Sequence, residues 1–247
     1  MHPILLKLGS FTIYSYGFMM ALAFLAGIAL AAWLAKKENI GPDKIFDLAL
    51  YVILVSIIGA RIFYIFEFWA DFYANPISMF YIWEGGLVFF GGVFFAIIAV
   101  YVFSKLSKLS AFKLLDVLAP ATALGYAIGR VGCFLRGCCY GCETAVPWAL
   151  NFPDVPGLRH PTQIYASLAG LLMMGILIFI LYRKKFDGQV FSIGLILYSI
   201  YRFLIEFIRV NPRYLFNLTE AQWGSALIFV IAAVLYFYLS KQKKITN

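Results

Sequence analysis

Apolar residues gather into seven long runs, at roughly 16–34, 45–66, 87–103, 119–135, 164–182, 190–208 and 223–240. Each approaches the ~20 residues that cross a bilayer as a helix. The first, third, fifth and seventh runs hold no charged residue. The second holds Asp47 and Arg61, the fourth Arg130, and the sixth Arg202 and Glu206. No repeat, heptad seam or mirrored second half is visible, which argues against an inverted-repeat transporter. The pattern predicts an all-α integral membrane protein with seven transmembrane helices in a single polytopic domain over residues 1–247.

Composition sharpens this class. Of 247 residues, 63% are hydrophobic and only 13% charged, too few charges to cover the surface of a soluble enzyme and too apolar a chain for disorder. The net charge of +8 would suggest nucleic acid if the basic residues were clustered. They lie instead in alternate loops: twelve on one side (at 36, 37, 44, 105, 108, 113, 183–185, 241, 243 and 244) against five on the other (7, 136, 159, 209 and 213). The excess of Lys and Arg marks the cytoplasmic side, so the N-terminus is expected outside, the C-terminus in the cytoplasm, and no nucleic-acid partner. Lys36 and Lys37 follow the first apolar run, unlike the charge order of a cleavable signal peptide. The long connections then fall outside. Residues 67–86 carry Trp69, Tyr81 and Trp83, suited to an interface belt, and 136–163 is rich in Pro and holds Trp148.

Chemistry is expected where charge enters the spans. An Arg near the bilayer centre costs at least about 3 kcal/mol, so each of Arg61, Arg130 and Arg202 needs a partner or a watery cavity. Arg202 and Glu206 stand four residues apart and can pair on one helix face. Three Arg against one nearby Glu leave positive charge over, which suits an anionic ligand, and the abundant anion of a bilayer is a lipid phosphate. Internal ion pairing is the competing explanation. We expect Arg61, Arg130, Arg202 and Glu206 to face one cavity. Gly85-Gly86 and Gly91-Gly92 flank an apolar tetrapeptide, and Gly129 precedes Arg130; such glycines serve ligand approach or helix packing. His160, one of two His in the chain, precedes Pro161 at the start of the fifth run and is a candidate general base or a helix-entry histidine. Cys133, Cys138, Cys139 and Cys142 form one local cluster. Its spacing admits metal, redox chemistry, a disulfide or plain packing; with no second Cys pair and no adjacent His, the last two lead, and neither metal nor cofactor is expected.

Taken together, Tyr16-Gly17, Gly59-Ala60-Arg61, the double glycine stretch 85–92, Gly129-Arg130-Val131-Gly132 with Gly137 and Gly141, Arg159-His160-Pro161-Thr162-Gln163-Ile164-Tyr165, and Tyr201-Arg202 through Glu206 to Arg209 resemble the prolipoprotein diacylglyceryl transferase family of bacteria. The resemblance covers nearly the whole chain. It implies a multi-pass protein of the cytoplasmic (inner) membrane that moves the diacylglyceryl group of phosphatidylglycerol to the lipobox cysteine of a prolipoprotein signal peptide, releasing glycerol 1-phosphate. It implies that Arg130 binds the headgroup phosphate, that Arg202, oriented by Glu206, is the second clamp and that Tyr16 lines the same cavity; beside it, the residues themselves make His160 the candidate catalytic base and Arg61, Gly91, Gly92 and Gly129 candidates for substrate binding. The chain departs from the common pattern as a Cys-rich variant: Phe90 stands where the family has His, Cys133 and Arg136 where it has Asn, and Cys138 where it has an acid. The alternatives are a paralogue with another acceptor or lipid donor, and a non-catalytic lipid-binding or anion-transport protein.

Overall fold

The computed structural model describes residues 1–9, 11–73, 75–81 and 85–246. Among the described residues, seven helices are long and apolar enough to cross a membrane. They are α1 (Ser15–Ala35), α2 (Pro42–Glu67), α4 (Phe89–Leu106), α5 (Ala111–Arg136), α6 (Thr162–Tyr182), α7 (Gln189–Ile205) and α8 (Glu220–Thr246); a short helix, α3 (Trp69–Tyr73), follows α2. Two antiparallel strand pairs lie outside the spans and amend the all-α expectation: β1 (Ile4–Leu8) with β2 (Phe11–Tyr14), and β3 (Leu150–Phe152) with β4 (Val155–Arg159). Both are too short to have shown an alternating pattern of their own. Of the expected interface belt, Trp83 lies outside the described residues, while Trp69 is exposed.

The chain packs as two compact units, Met1–Leu34 with Leu115–Asn247, and Ala35–Leu114. In the second, α2 lies against α4, and glycines set the distance. A β-carbon at Gly91 would stand 2.7 Å from the Gly59 carbonyl oxygen and 2.6 Å from Phe63 Cβ, and one at Gly59 would meet Phe95 at 2.2 Å. Without a hydrophobic drive between helices in lipid, close backbone approach of this kind supplies the attraction. The first glycine pair serves a different purpose. Gly85 and Gly86 both have left-handed φ, +92° and +73°, and turn their carbonyls onto Arg61.

In the first unit α5 is the hub. A β-carbon at Gly132 would lie 3.0 Å from Met19 Cβ of α1, and one at Gly170 of α6 would lie 3.0 Å from the Ala123 carbonyl oxygen of α5. The helix runs longer than the apolar pattern suggested because Asp116 does not end it. The Asp116 carboxylate, fully buried, accepts from the backbone N–H groups of Gly188 (2.8 Å) and Phe191 (2.9 Å) and pairs with Lys184 at 3.2 Å. Two donors that the first turn of α7 cannot satisfy within itself are thereby met by a side chain from another helix. Asp116→Ala removes all three partners at once and should lower stability by about 3 kcal/mol, read as a lower unfolding midpoint in detergent.

Candidate active site

The second unit holds Arg61, and its guanidinium is heavily committed. Nε donates to Met79 O (2.8 Å), Nη1 to Gly85 O (2.8 Å) and Gly86 O (3.1 Å), and Nη2 to Ser78 O (2.6 Å). That uses four of the five N–H donors of an Arg. The cation also stands 5.4 Å from the Tyr64 ring centre and 5.5 Å from that of Phe72. Arg61 therefore clamps the connection after α3, gathering carbonyls that glycine conformations point inward. Gly91 and Gly92 lie at the α2–α4 contact, where a β-carbon at Gly92 would meet Ser56 O at 3.5 Å and Ala60 Cβ at 3.6 Å. Phe90, at the start of α4, is exposed.

The first unit gathers the other candidates. Arg202 pairs with the buried carboxylate of Glu206, which also accepts from Asn211 Nδ2. The half-buried Arg130 lies over the face of Tyr126, 4.8 Å from the ring centre. Tyr126 in turn contacts Tyr198 at 5.8 Å and Tyr201 at 6.3 Å. Arg130 and Arg202 both lie within electrostatic range of Tyr198 and Tyr201. Among the described residues Arg130 is paired with no carboxylate. A cation on an aromatic face keeps its N–H fork available at the edge.

Tyr16 opens α1 beside Gly132, whose added β-carbon would lie 3.4 Å from the Tyr16 ring. The Tyr16 hydroxyl is within electrostatic range of Cys133, Cys138, Cys139 and Arg130. Gly129 lies one turn along the same helix contact, its added β-carbon 3.4 Å from Met20 Sδ. After Arg136, Gly137 takes φ +81° and ends α5: the N–H groups of Gly137 and Cys138 both donate to Cys133 O, at 3.1 Å. Cys139 also adopts a left-handed φ, +66°. Its carbonyl accepts from Thr162 Oγ1 and that of Cys138 from Gln163 Nε2, both at 2.6 Å, and both donors are buried at the start of α6. All four thiols are free. The thiols of Cys133, Cys138 and Cys139 lie within 4.8 Å of one another, apart from Cys142. The Cys139 thiol is pulled down to about 5 by a hydrogen bond from the Cys133 thiol, with help from Arg209 and Arg130 against the cost of burial. Burial and the neighbouring Cys139 push the Cys138 thiol up.

His160 sits on the same framework. Its Nδ1 is 3.2 Å from the Tyr165 hydroxyl, which accepts from Trp148 Nε1 at 2.6 Å. This hydroxyl, rather than a backbone carbonyl, orients the ring. Three segments meet here. Gly141 N donates to His160 O (2.9 Å), Cys142 N to Ile208 O (2.8 Å), and Gly141 bridges Arg209. Sequence reasoning passed over Arg209, Tyr126, Tyr198 and Tyr201 as site residues. The Tyr-Arg pair at 201–202 and the span-end position of Arg209 were the only signals. An apolar groove of about 280 Å3 between α7 and α8 is lined in part by Ser199 and Phe203, either side of Arg202 in sequence.

The unit is thus a helical membrane protein bearing a cationic, thiol-lined site at the end of its spans. A sequence model of prolipoprotein diacylglyceryl transferase matches residues 3–238. The chain is 37% identical over 228 residues to the phosphatidylglycerol–prolipoprotein diacylglyceryl transferase of Finegoldia magna, covering 92% of this chain and 91% of that one. It is 32% identical over 249 residues to the enzyme of the same name from Clostridium tetani (99% and 100% covered), and 31% over 256 residues to that of Trichormus variabilis (97% and 91%). The chain belongs to the prolipoprotein diacylglyceryl transferase family. The framework supporting the site is testable at Gly141, where a β-carbon would stand 2.6 Å from Ile208 O and 2.8 Å from His160 Cβ. Gly141→Ala should force the three segments apart and lower the unfolding midpoint, whereas Gly175→Ala, with no atom within 4 Å, should not.

Proposed function

We propose that this protein transfers the diacylglyceryl group of phosphatidylglycerol to the lipobox cysteine thiol of a prolipoprotein, the first step of lipoprotein maturation. It acts as a multi-pass protein of the bacterial inner membrane with its N-terminus outside. The observation that carries this reading is Arg130: a cation inside a span, seated on Tyr126, with no carboxylate partner among the described residues.

The reaction breaks the bond between the glyceryl carbon and its phosphate oxygen, and negative charge grows on that oxygen as the bond lengthens. A preorganised cation in a water-poor site stabilises it more than water can. Arg130 binds the lipid phosphate through its fork, and Arg202, held in orientation by Glu206 and Asn211, is the second clamp. Tyr16 lines the same site from α1, with Gly129 allowing the close approach of that helix. His160, oriented by Tyr165, accepts the proton of the incoming thiol. Within their own unit, Arg61 orders the connection after α3, and Gly91 and Gly92 set the α2–α4 distance.

Cells depleted of their own transferase provide the test. The wild-type chain should restore lipoprotein maturation and Arg130→Ala should not, with transfer reduced by about a hundredfold or more at unchanged protein level. Full complementation by Arg130→Ala would remove the phosphate clamp. A wild-type chain that is well expressed yet leaves prolipoprotein unmodified would favour a different acceptor or donor.

A further inference from the structure

The reaction proposed above requires a thiolate. A free cysteine thiol, with an ordinary pKa near ~8.5, is mostly protonated at neutral pH. His160, oriented by Tyr165, can receive its proton. The three clustered cysteines offer another means of activating the acceptor. Cys133, Cys138 and Cys139 are half-buried, hold free thiols, and bring their sulfurs within 4.8 Å of one another. A tetrahedral zinc ion with Zn–S bonds of about 2.3 Å has ligand sulfurs ~3.8 Å apart. A contraction of at most about one ångström, within reach of side-chain rotation, converts the cluster into three corners of that tetrahedron.

Plain packing does not explain how these thiols are held. Cys139 keeps a left-handed φ of +66°, rare for a residue with a β-carbon. Buried Thr162 and Gln163 are each committed to one carbonyl of the Cys138-Cys139 pair. Cys142, three residues on, is left out of the cluster. Charge also fits. A zinc ion with four thiolates carries a net negative charge, and Arg130 and Arg136 flank Cys133 by three residues on the same helix.

We propose that Cys133, Cys138 and Cys139 bind a zinc ion as three thiolates, and that the acceptor cysteine of the prolipoprotein takes the fourth position; the second half of this inference rests on the transferase reading. Three protein ligands with one open position is the pattern of a reactive rather than a purely structural zinc site. A thiol bound there is deprotonated outright, its proton passing to His160 or to water. The bound sulfur then forms the bond to the glyceryl carbon as the bond from that carbon to the phosphate oxygen breaks. Glycerol phosphate leaves with the electron pair as a dianion. The monoanionic lipid and the thiolate become a neutral thioether and that dianion, and nothing is oxidised or reduced. The neutral thioether is a weaker ligand than a thiolate, which releases the product from the ion.

The test uses the purified full-length chain in detergent. Cobalt(II) added to the metal-stripped protein should give the intense absorption of sulfur-coordinated tetrahedral cobalt, saturating at about one ion per chain. Cys139→Ser should abolish it and Cys142→Ser should retain it. A lipobox peptide should shift the spectrum, and the same peptide with Ser for Cys should not. Chelation should slow transfer from phosphatidylglycerol by about tenfold or more, and zinc should restore it. Absence of a saturable cobalt site, or a Cys133–Cys139 disulfide in the active protein, overturns the metal site. Undiminished transfer after chelation also overturns it while leaving the transferase standing. Cobalt binding with a peptide-dependent shift but no transfer from phosphatidylglycerol would sink the transferase reading instead.

Discussion

Inside a bilayer a charged side chain has no water to solvate it, so its partners decide whether the span that carries it can exist. Five charged residues of the long helices show different ways of meeting that demand. Arg61 is surrounded by carbonyls that two left-handed glycines turn toward it. Asp116 is neutralised by Lys184 and caps α7. Arg202 and Glu206 satisfy each other on one helix face. Arg130 differs: its described partner is an aromatic face, which balances part of its charge and leaves room for an anion. The membrane penalty thus marks Arg61 and Asp116 as structural, Arg202 as a cation oriented by its own carboxylate, and Arg130 as the position most open to an anion.

The rest of the site hangs from the end of the helix that carries Arg130. Gly137 stops α5 one turn beyond Cys133, and the chain folds back so that Cys138 and Cys139 come beside Cys133. Thr162 and Gln163 fix that turn from α6, while Gly141 admits the segment of Arg209 at close range. Arg130 and the thiol cluster are therefore set by one helix terminus, and Tyr16 approaches both across Gly132. A change in how α5 ends would move both together.

Much of the fold was legible because seven apolar runs have one simple meaning in lipid. The ends were not. The fourth apolar run starts near 119, yet α5 begins at Ala111 and holds Asp116, whose partners come from residues some seventy positions away, which no local pattern reveals. The Arg202–Glu206 pair followed from helical spacing alone. Arg61 was readable as a buried charge in need of partners, but backbone carbonyls leave no mark in a sequence, so its clamp was invisible. The same limit applied to glycines: Gly85-Gly86 and Gly91-Gly92 look alike in the chain and differ in the fold, one pair turning the backbone and the other bringing helices together. The Cys139-x2-Cys142 spacing pointed to the wrong pair: the thiols that gather are Cys133, within α5, and Cys138 and Cys139, in the turn after it.

The central claim is that a lipid phosphate and an acceptor thiol react at this site. The most direct measurement is mass spectrometry of a lipobox peptide incubated with the purified chain in phosphatidylglycerol vesicles, alongside vesicles of a lipid with a zwitterionic headgroup. The account predicts a cysteine carrying the mass of one diacylglyceryl group and matching release of glycerol phosphate, in the phosphatidylglycerol vesicles only. An unmodified peptide with folded protein, or equal modification from the zwitterionic lipid, would contradict it.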